Sequence, residues 1–345
     1  MLCMVLEAFG APLIPQEREI PKPGEGEVIL KVGACGVCQT DLKVCQGNHP
    51  AVRDVPVIPG HEVAGEIVEV GKNIDKGYLG KRVVVYAYNV CGECEFCRVG
   101  RESLCTNLKG QVGFSMPGGF AEYIKIPVKS VFTIDDNVTY EKASILTDAV
   151  ATPYHAIKSK ARVKEGETIA VIGAGGLGLH AIQIAKLFGA KVIAIDLKDL
   201  SLKLAKDMGA DWIIKGDDVD LPATVNELTS GQGVSAVFEF TGNPDVESLA
   251  LELLKVAGKM VLVAYDTNNP FQVNSLTMVS REIEIYGARW CGREEFKECV
   301  DLVSTGKIEP YVGEAHPLLE TNSVLKRLQE GEILGRAVLV PEKGS

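Results

Sequence analysis

The segment "IAVIGAGGLGLHAIQIAKLFGAKVIAID", residues 169–196, has the most informative pattern for the fold of this chain. A short apolar run is followed by a glycine-rich turn, an amphipathic segment and a second apolar run that ends in Asp196. This order predicts a strand, a tight turn, a helix and a second strand parallel to the first.

The turn within this stretch has the spacing of a dinucleotide-binding site. Gly173, Gly175 and Gly178 have the GxGxxG pattern, and Gly176 and Leu177 lie between the last two. The glycines permit a tight turn, and the helix N-terminus offers free N–H groups to a pyrophosphate. An acidic residue at the end of the second strand binds ribose hydroxyls and repels a 2′-phosphate, so the stretch predicts NAD as coenzyme. An ordinary loop and, for the aspartate, a helix N-cap are the alternatives.

The rest of the chain has two parts with different sequence patterns. Its first part contains short β-branched runs separated by Gly and Pro, which predict a β-rich domain. In its second part short apolar strands alternate with helical patterns, which predict a parallel sheet with helices on both faces. The tail is again strand-like and could return to the first domain. We therefore predict an α/β protein with one domain from residues 1–150 and 290–345 and a second from residues 151–289.

Composition narrows the possible partners. The chain has 345 residues, 46% of them hydrophobic, and a net charge of −10. This charge would repel phosphate backbones and anionic lipids, so we expect neither nucleic acid nor a membrane as partner. The sequence has no apolar run of membrane-spanning length and no secretory signal, which predicts a cytoplasmic location.

Four of the ten cysteines lie within residues 91–105 and indicate a metal site. They are Cys91, Cys94, Cys97 and Cys105. The cytosol keeps thiols reduced, so a disulfide framework is not expected. Four thiolates can surround one tetrahedral zinc ion and leave no open position, which predicts a structural zinc. An iron–sulfur cluster is the alternative.

A second set of metal-binding residue types lies in the first domain. Cys38, His61 and Glu62 occur at turns between predicted strands, where their side chains can converge. A zinc site with three protein ligands keeps a position open for substrate. Taken singly, Cys38 could be a small buried hydrophobe and His61 a hydrogen-bonded core histidine.

Together these motifs resemble the zinc-dependent alcohol dehydrogenases of the medium-chain dehydrogenase/reductase family, over essentially the whole chain. Residues 60–74 are similar to the family's GHExxGxxxxxG signature, "GGFAEY" at 118–123 and "GRAVL" at 335–339 are family-like, and residues 91–105 resemble its structural zinc loop. The resemblance implies a GroES-like β-rich catalytic domain and a Rossmann domain, with the active site in the cleft between them.

The resemblance also implies roles for single residues around a catalytic zinc. Cys38 and His61 match zinc ligands, and Asp148 stands where many members have a cysteine ligand. A carboxylate is a competent zinc ligand, and a helix N-cap is the alternative for Asp148. Glu62 resembles a residue that lies next to the metal, and Asp41 matches the carboxylate that orients the zinc histidine.

The reaction implied is the reversible oxidation of an alcohol. Zinc would lower the pKa of the alcohol, and the alkoxide would transfer a hydride to NAD. Thr40 resembles the hydroxyl that takes the alcohol proton, and Lys43 stands where many members have a relay histidine. Thr152 matches a position that contacts nicotinamide, and Arg336 matches an arginine that pairs with the cofactor phosphate.

The substrate is predicted to be a primary or secondary alcohol with polar substituents. His49 and Tyr86 stand where relatives that prefer small alcohols often have aromatic residues, which suggests a polar pocket for a diol or hydroxyketone. A polyol- or threonine-type dehydrogenase, a zinc-independent quinone or enoyl reductase and a non-enzymatic zinc module are the alternatives. We expect two zinc ions per chain, NAD, and a homodimer or homotetramer.

Overall fold

The computed structural model describes residues 1–217 and 220–341. Within it the chain divides into two compact units: unit 1 comprises Met1–Asp148 and Cys291–Ser345, and unit 2 comprises Ala149–Trp290. No helix of the described residues combines the length and the apolar character that crossing a bilayer requires.

Strands and helices are numbered in chain order. In the described residues the strands are β1 (Leu2–Val5), β2 (Ile14–Glu17), β3 (Glu27–Val37), β4 (Glu62–Val70), β5 (Arg82–Val85), β6 (Tyr88–Asn89), β7 (Gly110–Gln111), β8 (Tyr123–Pro127), β9 (Val131–Thr133), β10 (Thr168–Ile172), β11 (Lys191–Asp196), β12 (Trp212–Lys215), β13 (Val234–Glu239), β14 (Leu254–Leu262), β15 (Glu284–Gly287), β16 (Val312–Pro317) and β17 (Arg336–Val340). The α-helices are α1 (Gln39–Cys45), α2 (Glu95–Arg98), α3 (Tyr140–Ser144), α4 (Ala151–His155), α5 (Gly178–Leu187), α6 (Asp199–Asp207), α7 (Leu221–Leu228), α8 (Pro244–Ala250), α9 (Ser275–Arg281), α10 (Arg293–Ser304) and α11 (Thr321–Gln329). Single 3₁₀ turns and one π-helical segment complete them: Lys76–Tyr78, Glu102–Leu104, Val128–Ser130, Ile145–Thr147, Leu318–Glu320 and the π-helical Ala156–Ala161.

Unit 2 is a parallel sheet of six strands in the order β12-β11-β10-β13-β14-β15. Its central strands are almost continuously buried, as expected where helices cover both faces of a parallel sheet. Successive strands run outward from β10 to β12, and the chain then returns to place β13 on the other side of β10. The strand order thus reverses between β10 and β13, and ligands of such sheets bind at the carboxyl ends of the strands at this point.

Unit 1 contains a sheet in the order β16-β17-β3-β4-β5-β9, with β8 also paired to β3. The pairs are antiparallel except β16 with β17. One side of α10 packs into this unit because four apolar residues recur at i, i+3, i+4 and i+7 and are buried: Phe296, Cys299, Val300 and Val303. The predicted α/β fold, with a β-rich domain and a parallel-sheet domain, is confirmed.

The register of this sheet brings three distant segments together. Gly36 near the end of β3 is opposite Glu62 at the start of β4, and Val37 is opposite Ala337 in β17. The residues that follow β3, precede β4 and begin β17 therefore lie close together, at one end of these three strands.

Candidate active site

The candidate ligands of a catalytic zinc converge at these strand ends of unit 1. Cys38, His61, Glu62 and Asp148 are buried, and a ligand atom of each lies within 4.8 Å of those of the others. The Sγ atom of Cys38 is 3.4 Å from Oδ2 of Asp148, and Nε2 of His61 is 3.8 Å from the same oxygen. Asp148 does not cap α4, whose N-cap is Val150.

Asp41 holds two of these residues in place. Its carboxylate is fully buried, and Oδ1 lies 3.2 Å from Nδ1 of His61 while Oδ2 accepts a hydrogen bond from the backbone N–H of Cys38 at 2.8 Å. Cys38 is the N-cap of α1, and Asp41 is the third residue of that helix, so the two form a capping box. A carboxylate at Nδ1 favours the tautomer in which Nε2 is available to a metal.

Arg336 is a buried cation beside the cluster. Its Nη2 donates to Oε1 of Glu62 at 2.8 Å and to Oδ2 of Asp148 at 3.4 Å. Burial raises the pKa of Glu62 to about 8, although the Arg336 charge opposes this shift. Gly36 leaves room for this carboxylate, because a Cβ atom there would lie 1.8 Å from Oε2 of Glu62.

The donor set fits a zinc ion. A thiolate, an imidazole and a carboxylate are all zinc ligands, and the side chains bring one donor atom of each within 4.8 Å of the others. Oε2 of Glu62 is buried without a hydrogen-bond partner in the described residues, a position that a nearby cation would stabilise. Burial by itself would lower the pKa of His61, but the Asp41 charge and the hydrogen bonds that the ring donates to neighbouring acidic groups raise it overall. A field that favours a proton on His61 also favours a metal cation.

The four clustered cysteines also converge. The four Sγ atoms lie within 4.8 Å of one another, with Cys105 3.5 Å and Cys97 3.9 Å from Cys91. These distances are too long for disulfides, so none of the four is in a disulfide with another. Backbone hydrogen bonds, first from Cys97, lower the pKa of Cys94 to about 6, which favours the thiolate that zinc binds. The closed set of four sulfurs fits a structural zinc.

The glycine turn lies at the carboxyl end of β10. Gly173 has a φ of +90°, and a Cβ atom on Gly178 would lie 1.9 Å from the carbonyl oxygen of Gly173. Helix α5 begins at Gly178, so its free N–H groups face the turn. Such an open backbone turn at a helix N-terminus fits a pyrophosphate.

Asp196 is fixed next to this turn. Oδ2 accepts a hydrogen bond from the N–H of Ala174 at 2.8 Å, and Oδ1 accepts one from the N–H of Lys198 at 2.9 Å. It does not cap α6, whose N-cap is Lys198. The two amides orient the carboxylate at the end of β11, where an acid selects the ribose of NAD.

The remaining predicted residues have different environments. Thr40 is half-buried in α1, and Thr152 is buried in α4 of unit 2. The His49 ring packs on Phe114 with centroids 4.6 Å apart, and Phe114 in turn lies 5.3 Å from the His61 ring. Phe114 was not predicted, because one phenylalanine in a loop has no distinguishing pattern.

Tyr86 differs from its prediction. The side chain is buried, its hydroxyl donates to the carbonyl of Cys291 at 2.8 Å, and its ring packs against Phe296. The hydroxyl therefore serves the packing of unit 1 and does not make a substrate pocket polar.

Comparisons with known proteins agree with this geometry. Residues 24–136 match the alcohol dehydrogenase GroES-like domain, and residues 176–305 match the zinc-binding dehydrogenase domain. An alcohol dehydrogenase of Geobacillus stearothermophilus is 37% identical over 98% of this chain and 98% of its own. An NAD-dependent alcohol dehydrogenase of Sulfolobus acidocaldarius is 33% identical over 98% of this chain and 99% of its own. The crystal structure of the alcohol dehydrogenase of Aeropyrum pernix has a TM-score of 0.92 at 34% identity, covering 99% of this chain and 100% of that one.

The fold, the metal-ligand sets and the nucleotide turn thus define a zinc- and NAD-dependent oxidoreductase that acts on alcohols. The chain belongs to the zinc-dependent alcohol dehydrogenases of the medium-chain dehydrogenase/reductase family. The predicted family, enzyme class and cofactors are confirmed.

Proposed function

We propose that Cys38, His61 and Asp148 bind the catalytic zinc of this dehydrogenase and that the four clustered cysteines bind the structural zinc. The convergence of a thiol, an imidazole and a carboxylate on one buried point supports the catalytic site most strongly. Arg336 pairs with Glu62 and keeps that carboxylate beside the metal position. A pairing of Arg336 with the cofactor phosphate stays a prediction.

The coenzyme is proposed to bind at the turn that follows β10. The turn residues Gly173, Gly175, Gly176, Leu177 and Gly178 would receive the pyrophosphate, as a turn of this shape does in other dinucleotide-binding sheets. Asp196 would receive the adenosine ribose, and Thr152 would contact the nicotinamide.

The proposed mechanism assigns one task to each polar residue. Bound zinc supplies a Lewis acid that makes the alcohol oxygen more acidic, and NAD supplies the hydride acceptor. Oγ1 of Thr40 would take the alcohol proton and at the same time pass its own hydroxyl proton to the ribose of NAD. Asp41 holds the proton of His61 on Nδ1, so that Nε2 keeps its lone pair. Arg336 offsets the charge of Glu62, which limits the negative charge that the site accumulates.

We propose a polar alcohol, such as a diol or hydroxyketone, as substrate. His49 is linked to His61 through Phe114, and its Nδ1 accepts a hydrogen bond from the N–H of Ala51 at 3.2 Å. This bond leaves the ring proton of neutral His49 on Nε2, so the ring is a polar group on the far side of Phe114 from His61. A higher kcat/KM for unsubstituted aliphatic alcohols than for diols would contradict this choice.

The experiment that tests the two zinc sites is elemental analysis of the wild type, Cys38→Ser and Cys97→Ser, with NAD-linked oxidation of an alcohol panel. We expect two zinc ions per wild-type chain. Cys38→Ser should lose one zinc together with activity, and Cys97→Ser should lose the other chiefly with thermal stability. A catalytic zinc that survives in Cys38→Ser would refute the assigned ligands.

We also propose that a second copy of the chain pairs with β15. This strand forms the edge of the unit 2 sheet, and α9 just before it exposes 71% of Leu276 and 78% of Val279. An unprotected edge strand beside exposed apolar residues is a typical association surface. Light scattering coupled to size-exclusion chromatography would measure the molar mass in solution. We expect the mass of a dimer or tetramer, and the mass of a monomer would contradict the proposal.

A further inference from the structure

One buried acid of unit 2 has none of the roles given above. Glu239 is the last residue of β13, is fully buried, and lies at the point where the strand order reverses. Burial raises the pKa of its carboxyl group, and hydrogen bonds from the loop that follows oppose this shift. A buried carboxylate is unfavourable unless several donors satisfy it, so its donors show what it stabilises.

The donors all belong to the loop directly after the strand. Oε1 accepts hydrogen bonds from the N–H of Thr241, at 2.6 Å, and from the Thr241 hydroxyl, while Oε2 accepts one from the N–H of Gly242 at 2.9 Å. Gly242 has a φ of +68°, and a Cβ atom there would lie 2.7 Å from the backbone nitrogen of Tyr265. The loop is therefore folded tightly around the carboxylate and against the chain that follows β14.

The same loop forms one wall of the glycine turn. A Cβ atom on Gly173 would lie 3.1 Å from Cγ2 of Thr241 and 3.5 Å from Phe240. The N–H of Phe240 also donates to the carbonyl of Ile172, the residue just before Gly173, at 3.0 Å. A displacement of the loop would thus change the space next to the first glycine of the turn.

We propose that Glu239 is a positioning residue for the coenzyme: its carboxylate fixes the loop of Thr241 and Gly242 against Gly173 and so sets the shape of the pyrophosphate turn. This inference rests on the coenzyme site proposed above. Glu239 acts through the loop and has no contact with the reacting atoms. It should therefore affect the binding of the nucleotide and leave the chemical step unchanged.

Glu239→Gln tests this inference with little change in shape. The glutamine oxygen can still accept from Thr241, but its NH₂ group faces the N–H of Gly242, so one hydrogen bond is replaced by two opposed donors. Glu247→Gln is the matched control, because Glu247 is also a buried acid but lies on α8. For each protein, calorimetry would give Kd for NAD and for ADP-ribose, which lacks the nicotinamide, and kcat would be measured at saturating NAD.

We expect Glu239→Gln to raise both Kd values about tenfold, with kcat close to that of the control. Thr241→Val, which removes only the hydroxyl bond, should give a smaller increase and covers the case in which Glu239→Gln fails to fold. Unchanged Kd values in the folded variants, an equal loss in Glu247→Gln, or a fall in kcat alone would overturn the inference. A wild type that binds neither NAD nor ADP-ribose would instead refute the coenzyme site itself.

Discussion

Asp41→Asn should weaken the catalytic zinc site without affecting the structural one. The carboxylate of Asp41 uses one oxygen for Nδ1 of His61, at 3.2 Å, and the other for the backbone N–H of Cys38, at 2.8 Å. Asparagine has one oxygen and one NH₂ group, so it can serve only one of these two donors. The other donor would be left facing NH₂ in a fully buried position.

The expected size of this effect follows from the partners. Losing a buried hydrogen bond to a charged group costs about 1.5–3 kcal/mol. Replacing the residue that orients a metal-binding histidine typically lowers metal affinity about 10- to 100-fold, which corresponds to about 1.4–2.8 kcal/mol. The two estimates agree, so we expect a catalytic zinc affinity about 10 to 100 times lower than in the wild type.

Chelator competition with a chromogenic zinc indicator would measure this affinity. The structural zinc serves as an internal reference, and Cys38→Ser identifies which release phase belongs to the catalytic site. Asp75→Asn is a matched control, because Asp75 is an exposed acid that accepts a hydrogen bond from the N–H of Gly77. The reasoning would be refuted if Asp41→Asn bound both zinc ions as tightly as the wild type does. It would also be refuted if the zinc affinity of both sites fell equally.

Three further substitutions probe other parts of the structure. Arg336→Leu leaves two buried carboxylates without their cation. Urea denaturation of the metal-free protein should therefore show a free energy of unfolding about 3–5 kcal/mol lower than that of the wild type, and a decrease below about 1 kcal/mol would contradict the pairing. Gly178→Ala places a Cβ atom 1.9 Å from the Gly173 carbonyl, so calorimetry should show at least about tenfold weaker NAD binding, and unchanged affinity would refute the turn geometry. Thr40→Val should lower kcat about 10²- to 10⁴-fold while Thr40→Ser retains most of it, and equal rates for the two variants would exclude the hydroxyl as proton acceptor.

The parts of the molecule that sequence predicted well are those with short-range patterns. The cysteine quartet spans 15 residues, and the turn and Asp196 belong to one strand–helix–strand unit. In both cases the local chain path brings the groups together, so spacing alone indicates the site.

The convergence on Asp148 has a different origin. Asp148 is 110 residues from Cys38, and no spacing rule connects them. Their proximity depends on the register of β3, β4 and β17 and on the 3₁₀ turn Ile145–Thr147, which precedes Asp148. Only the family resemblance could indicate Asp148 as a candidate ligand in advance.

Long-range polar pairs were beyond sequence reasoning. Arg336 is 274 residues from Glu62, and Tyr86 is 205 residues from the carbonyl that it binds. The role of Glu239 was missed because an acid at the end of an apolar strand resembles any strand terminus until its donors are seen. Such pairs form because strands and helices distant in sequence pack together, and the hydrophobic periodicity of the sequence does not indicate which of them do so.

The buried charges of unit 1 link the stability of these strand ends to the binding of a metal ion. Asp41, Glu62 and Asp148 are buried acids, the metal-binding form of Cys38 adds a fourth negative charge, and Arg336 is the cation paired with two of them. With all four groups ionised, the set has a surplus of about three negative charges over Arg336, and the metal-free site reduces this surplus by holding protons, as the raised pKa of Glu62 indicates. A zinc dication would reduce the imbalance to about one charge. The register of β3, β4 and β17 brings these charges together. Zinc binding should therefore stabilise the folded ends of these strands as well as prepare the site for the alcohol.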